Sequence, residues 1–554
     1  MAASVLVVLF LGYRYYGRFI ARQYALDDSR DTPAVKINDG IDFVPTRPFY
    51  LLGQHFSAIA AAGPIAGPIL AAQQFGWLPA LLWICVGVVF IGAVHDLSTL
   101  IASIRHGGGS IAEVIREQLG PGAGITMMAF IWLALVYVIV AFTDVTVSTF
   151  VAGDPDLAGL KFEFNQGGAV AVAATLYLLL AIVMGLVERY LKPKLWLQTI
   201  LFVPAAIGVV WIGTKLSTLL VFGPVAWAVL ILAYCFVASL TPVWLLLQPR
   251  GYLGGFVLYL ALAIGVIGIF FGGFDIQLPA FKGFEVPGAS GMLFPFLFVT
   301  IACGACSGFH GLVCSGTTSK QISKESHCHP VGYGAMLMEG FVAVIALATV
   351  MIATGAETAG KPAGTVYGIG IGRFVAVLLG PEHLPLAITF GAMAFSTFVF
   401  DTLDVSTRLG RYILQELFGL KGKVGAAIGT GLTVGVPLLF LLAAEPGSYK
   451  KFWVLFGTSN QMLAALSLMG ITVWLKRSNK RYWYTLWPML FVSAITFTSL
   501  MLQVAQAFFG ANSSLIQKIN GGVAAVLFVL AATLMTQGTR ALLQKPLVSA
   551  AATS

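Results

Sequence analysis

The chain has 554 residues, of which 58% are hydrophobic and only 10% charged, with a mean hydropathy of +0.89. Soluble domains are about a quarter charged, so the composition excludes a soluble globular protein and reads as an all-α polytopic membrane one. The net charge of +9 resides in short connections, where Lys and Arg set topology, so no nucleic-acid reading follows.

In chain order, fifteen stretches reach or approach the roughly 20 apolar residues of a membrane span. They are the first 20 residues, then 48–72, 77–103, 124–151, 168–187, 195–213, 221–247, 252–271, 291–314, 331–354, 384–407, 424–444, 452–475, 483–509 and 521–535. The apolar run Val5 to Leu11 lacks a basic flank before it and is followed by Arg14, Arg18 and Arg22. It therefore reads as a span with the N-terminus outside, not as a cleavable signal. Basic connections then recur on one side: Arg105 with Arg116, Arg189 with Lys192 and Lys194, Arg250, Lys320 with Lys324, Arg408 to Lys423, Lys476 to Arg481, and Arg540. The opposite connections hold Asp154, Asp156, Asp275, Glu285 and Glu445. The alternation requires 364–379 to lie at the outer surface without crossing, and it places the C-terminus in the cytoplasm. Six Cys (85, 235, 303, 306, 314, 328) fall mostly inside the spans, against a secreted-type disulfide framework.

Two spans carry helix breakers. GPIAGP runs from Gly63 to Pro68 and CGACSGFHG from Cys303 to Gly311. Proline costs a helix interior about 3 kcal/mol and glycine about 1, and lipid offers freed backbone groups no partner. Breaks in two separated spans point to a transporter whose binding site lies between them. Half-helix amide ends at Gly63, Pro64, Ala66 and Gly67, and at Gly304, Ser307 and Gly308, are expected to hold a substrate carboxylate. His310 beside them reads as a polar lining residue, and Asn460 in the run GTSNQ as a side chain facing the path. Cys303, Cys306, His310 and Cys314 have a metal-like spacing, but offsets of 3, 4 and 4 also fit one helical face, and no metal site is assigned.

Intramembrane acids are costly, about 2.5 to 3.5 kcal/mol on insertion scales, and are usually functional. Asp401 is the leading candidate for the coupling ion, with His95 and Asp96 behind it; Asp404 is expected to pair with Arg408, four residues on. If the ion is sodium, Ser396 and Thr397 would supply hydroxyl ligands. Asp144 and Glu339 mark further polar patches. No Walker motif is present, which excludes an intrinsic ATP-driven pump, and GGG at Gly107 to Gly109 follows no strand and reads as a turn.

The runs YRYYGRFIARQ (Tyr13 to Gln23), GPIAGP, HDLSTLIASIRHGGGS (His95 to Ser110), CGACSGFHGLVCSGTTSKQ (Cys303 to Gln321), DTLDVSTRLGRY (Asp401 to Tyr412) and FWVLFGTSNQMLAALSL (Phe452 to Leu468) together resemble the carbon starvation protein A family of secondary transporters. Cys306 and Cys314 depart from the small residues expected there. The resemblance implies uptake of pyruvate, and in some members of peptides, driven by protons or cations, protons ahead of sodium, with no cofactor. It also implies kinship with the amino acid, polyamine and organocation superfamily, hence an inverted-repeat core like that of sodium-coupled amino acid transporters. One membrane unit would then comprise an N-terminal helix and linker over 1–47, the core over 48–475 and accessory helices over 476–554, in a bacterial inner membrane. Six spans separate the two breaks where that core needs four, so an inserted helix pair is expected. The alternatives are a di- or tripeptide carrier, in which Asp144 would hold the peptide amine, a membrane nutrient sensor, for which no soluble signalling domain is visible, and a metal-dependent membrane enzyme.

Overall fold

The computed structural model describes residues 1–40, 42–60, 62–152, 164–242, 244–285, 291–445, 447–510 and 513–544; Asp154 and Asp156 lie outside the described residues. The architecture is helical throughout, and pairing between extended segments is limited, among the described residues, to two isolated bridges. Helix α1 covers residues 2–23. It is followed by α2 (Pro48–Ile59), α3 (Gly63–Phe75), α4 (Trp77–Arg105), α5 (Pro121–Phe150), α6 (Gln166–Leu191), α7 (Leu195–Lys215), α8 (Pro224–Leu240) and α9 (Leu247–Phe271). The second half holds α10 (Leu293–Thr300), α11 (Gly308–Val313), α12 (Glu325–Met351), α13 (Ala363–Leu379), α14 (Leu384–Phe418), α15 (Gly422–Ala443), α16 (Tyr449–Arg477), α17 (Trp483–Phe509) and α18 (Leu515–Leu543). Proline opens α2, α5 and α8, where its missing amide is no loss. Gly107 and Gly108, with φ of +69° and +80°, form the expected turn after α4.

Among the described residues, eleven helices are long and apolar enough to cross a membrane, and α2 with α3, bent by 45°, make a twelfth if the pair is one span. The other three expected spans are helical but fall outside that class: α1 is loaded with Arg14, Arg18 and Arg22, α8 has 17 residues, and the segment at 291–314 is split into α10 and α11. Burial sorts the helices into layers. The apolar windows of α14 and α16 are 94% buried within the protein, whereas those of α7, α15 and α18 are 22%, 28% and 33% buried and face lipid. The two broken segments lie inside this core, with α3 packed on α12 and α11 on α16.

Three sequence expectations shift in register or place. GPIAGP is not the gap itself: it forms the first turns of α3, with Pro64 in the opening turn and Pro68 inside the helix, and the preceding helix α2 already ends at Ile59. His310 likewise lies within α11, after a break over residues 301–307. Arg250 is not a loop residue, because it sits in the first turn of α9 with 0% exposure.

Candidate functional site

The two breaks meet. A Cβ placed on Gly67 would stand 2.6 Å from the Thr300 carbonyl oxygen, and one on Gly63 would stand 2.6 Å from the Cys303 Cβ. Gly304 in turn approaches the Pro64 Cα and packs against Ala343 of α12. Glycine is required at these positions by the closeness of the two backbones. Gly63, Pro64, Ala66, Gly67, Gly304, Ser307, Gly308, His310 and Asn460 are all buried, so the predicted binding residues form one enclosed region.

Freed backbone groups inside a membrane must find partners, and at the second break side chains supply them. The Trp83 indole N–H is 3.2 Å from both the Phe298 and Ile301 carbonyls, that of Trp453 donates to Thr300 O at 3.1 Å, and Gln461 Nε2 donates to Phe298 O at 3.0 Å. Asn460 serves the other side: its Oδ1 accepts from the Phe309 amide at 2.8 Å, and its Nδ2 donates to Ser307 Oγ at 3.0 Å and to the Cys303 sulfur at 3.3 Å. Asn460 thus caps α11 as well as facing the break. At the first break the Ile65 and Ala66 amides bond to Ala62 O, closing the opening turn of α3.

Beside the breaks lies a buried chain of ionisable groups. His95 Nδ1 is 2.7 Å from Asp96 Oδ1, the second Asp96 oxygen is 2.9 Å from His310 Nδ1, and His310 Nε2 is 3.0 Å from Glu339 Oε2. None of the four is more than 1% exposed. The chain joins residues of α4, α11 and α12, and Gly311 lets the His95 ring approach the α11 backbone. His55 of α2 hydrogen-bonds the Thr318 hydroxyl at 2.8 Å, with its other ring nitrogen 3.8 Å from the Cys314 sulfur.

A second buried cluster is separate from the first. Arg250 Nε donates to Asp401 Oδ1 at 2.6 Å, its Nη1 lies 2.6 Å from Asp404 Oδ2, and the Tyr234 hydroxyl donates to Asp404 at 2.9 Å. Asp404 therefore pairs with Arg250 and not, as its spacing suggested, with Arg408. Arg408 turns its guanidinium to the Ala238 and Thr241 carbonyls that end α8. Ser396 bonds back to Ala392 O at 3.0 Å, and Thr397 Oγ1 is 3.1 Å from the Met393 sulfur. Near the C-terminal end of α5, Asp144 accepts from the Gly447 and Tyr449 amides at the start of α16, while its Oδ2 has no partner among the described residues.

Sequence reading thus located His95, Asp96 and His310 without their connection, and it missed the parts played by His55, Trp83, Trp453 and Arg250. Arg250 had a legible signal: it lies only a few residues after the apolar run that ends at Leu247, too close to the spans for a surface connection. Among the described residues no three of His, Cys, Asp and Glu are placed to hold a metal ion.

The family model for carbon starvation protein CstA matches residues 1–364 and 352–499, the greater part of the sequence. The chain belongs to this family. The Escherichia coli pyruvate/proton symporter BtsT is 33% identical over 94% of this chain and 84% of its own. The Helicobacter pylori peptide transporter CstA is 34% identical, covering 89% and 80% of the two chains, and the Bacillus subtilis peptide transporter CstA is 33% identical, covering 86% and 85%. Among solved structures, mutant forms of the Eremococcus coleocola manganese transporter overlay with a TM-score of 0.44 at 13% identity, over 91% of this chain and 99% of theirs.

Proposed function

We propose that this protein is a secondary transporter that imports a small organic acid of the pyruvate class together with a proton, by alternating access. One observation carries the reading: two helices broken inside the membrane core face each other, backbone against backbone, at Gly63, Gly67 and Gly304. Paired broken helices are the form in which carriers expose amide ends to an anionic substrate. Kinship with a protein named a pyruvate/proton symporter supports the substrate and the ion. The substrate carboxylate would sit between the α3 start at Gly63 to Gly67 and the turn from Gly304 to Gly308, with His310 and Asn460 as neighbours. Of the coupling residues, His95 and Asp96 belong to the buried chain beside the break, whereas Asp401 is engaged by Arg250. For sodium, Ser396 and Thr397 would have to give up their bonds within α14.

Counting the bent pair, α1, α8 and the α10–α11 segment with the eleven long helices gives fifteen crossings. That odd number puts the two termini on opposite faces, and the side on which the basic connections recur supports an N-terminus outside and a C-terminus in the cytoplasm of a bacterial inner membrane. In the inverted-repeat core we place α2 with α3 as the first helix, α10 with α11 as the sixth, α13 as the outer cap and α14 as the eighth. We take α7 and α8 as the inserted pair, on the lipid exposure of α7.

The second reading, a di- or tripeptide carrier, is favoured by relatives of equal identity named peptide transporters and by the unpartnered Asp144 oxygen, which could meet a peptide amine. The deciding experiment is uptake of radiolabelled pyruvate into proteoliposomes under an inward proton gradient, a sodium gradient or neither. Accumulation under the proton gradient alone is expected. Uptake of a dipeptide but not of pyruvate would replace the substrate assignment.

A further inference from the structure

We propose that the transported proton is carried by Glu339, at the end of the Asp96, His310 and Glu339 chain, and that this chain couples to the substrate anion through charge. The assignment rests on the proton-coupled reading above and adds the group that takes the proton.

The argument begins with proton counting. Both nitrogens of His310 face a carboxylate oxygen, at 2.9 and 3.0 Å. A neutral imidazole has one N–H, so bonding at both ends requires two protons shared among the three groups. Two carboxylates and one ring with two protons carry a net charge of −1. Among the described residues neither carboxylate has a Lys or Arg within ion-pair distance, and all three groups are buried. A residual buried charge inside a membrane core is costly, so a third proton is favoured.

Among the described residues the chain's unpartnered atoms lie at its two ends, His95 Nε2 and Glu339; a proton on Glu339 removes a buried carboxylate charge, whereas one on His95 adds a buried cation. Both Asp96 oxygens are occupied, one by His95 and one by His310. Among the described residues Glu339 Oε2 has only its 3.0 Å contact with His310, and Oε1 is buried and without a partner. Protonation there brings the chain to zero charge while Oε2 keeps its contact with His310. The Asp401 cluster lacks this property. Its two carboxylates share the Arg250 guanidinium, each at 2.6 Å, a cation that the Glu339 chain lacks.

Glu339 is also placed to sense the substrate. It shares a face of α12 with Ala343, one turn on, and Ala343 packs against Gly304 in the break. The carboxylate field reaches Cys303, whose side chain abuts Gly63. A substrate anion bound there faces a chain of charge −1 until Glu339 is protonated. Each ligand therefore favours the other, and the coupling is reciprocal. The other titratable groups facing the chain are His95 from α4, 2.7 Å from Asp96, His55 from α2, and Cys303, Cys306 and Cys314 from the second broken segment. Cations on the neighbouring helices are held elsewhere: Arg105 by Glu325, Arg250 by Asp401 and Asp404, and Arg373 by Glu357. One monocarboxylate crossing with one proton moves no net charge.

The test is an infrared pH titration of the full-length protein in detergent, following the carbonyl stretch of a buried protonated carboxyl, with no substrate present. The wild type is expected to show a titrating band that Glu339→Gln abolishes, that Glu339→Asp keeps at a shifted frequency and that Asp401→Asn leaves unchanged. A band that survives Glu339→Gln, or one lost in Asp401→Asn, overturns the assignment. Because this readout needs no transport, it fails independently of the pyruvate reading. In proteoliposomes, Glu339→Gln should lose about tenfold or more of its pH-driven accumulation, within the usual range of coupling between sites, while retaining exchange of internal for external pyruvate. The wild type supplies a check that does not depend on folding of a variant. A pH gradient should drive pyruvate uptake while a membrane potential alone does not, and potential-driven uptake would contradict the one-proton balance.

Discussion

At the scale of single residues, the chain contains two kinds of buried acid that look alike in sequence and differ in their counter-charges. Asp401 and Asp404 share the guanidinium of Arg250, which spans 151 positions to reach Asp401. Removing one member of a buried ion pair typically costs 3 to 5 kcal/mol, because the partner charge is stranded. Arg250→Met leaves two carboxylates without their shared cation and is expected to destabilise the protein by about that amount. Asp401→Asn leaves Arg250 paired with Asp404 and should cost much less. Thermal unfolding of the two variants in detergent reads the difference directly, and equal losses would show that Asp401 is the principal partner of the arginine. The role of Arg250 was not legible in the sequence, because nothing local connects α9 to α14. Its position beside the expected end of a span was the single hint.

At the scale of elements, the broken helices were legible and their register was not. GPIAGP announces a break because glycine and proline are poor inside helices, yet proline in an opening turn loses no hydrogen bond. The run therefore starts α3 instead of interrupting it, and the gap falls just before it. In the second segment the same logic shifts His310 out of the break and into α11. The tryptophans that cap the freed carbonyls lie more than 150 positions from the break in either direction, so no periodicity could reveal them. What the glycines do is testable. Gly67→Ala puts a methyl carbon 2.6 Å from the Thr300 carbonyl oxygen, and backbone cannot yield as a flexible side chain would. Overpacking of this kind costs about 1 to 3 kcal/mol, and it pushes apart the two segments proposed to hold the substrate. Gly208→Ala, on lipid-facing α7, meets nothing within 4 Å. Gly67→Ala is expected to lose pyruvate uptake with a lowered unfolding temperature, while Gly208→Ala keeps both. Full uptake by Gly67→Ala would mean that the breaks do not move against each other.

At the scale of the whole molecule, most of the architecture followed from hydropathy and charge, because lipid forces every crossing segment to be both helical and apolar. The elements that escaped a simple length criterion, α1, α8 and the split α10 and α11, are arginine-bearing, short or broken, and the orientation of the chain depends on whether they cross. Helix α14 gives the cleanest test of that orientation. Its 35 residues rise about 52 Å at 1.5 Å per residue, more than the roughly 30 Å hydrocarbon thickness, so its two flanking connections must emerge on opposite faces. Glu382 precedes it and Lys421 follows it, both exposed. The positive-inside rule puts the connection bearing Lys421 and Lys423 in the cytoplasm. A membrane-impermeant maleimide applied to intact cells should therefore label Glu382→Cys, and should label Lys421→Cys only after permeabilisation. The native thiols are buried apart from the half-buried Cys85, so background labelling is expected to be low. The reverse pattern would invert the orientation, and with it the direction in which α3 and α11 run across the membrane.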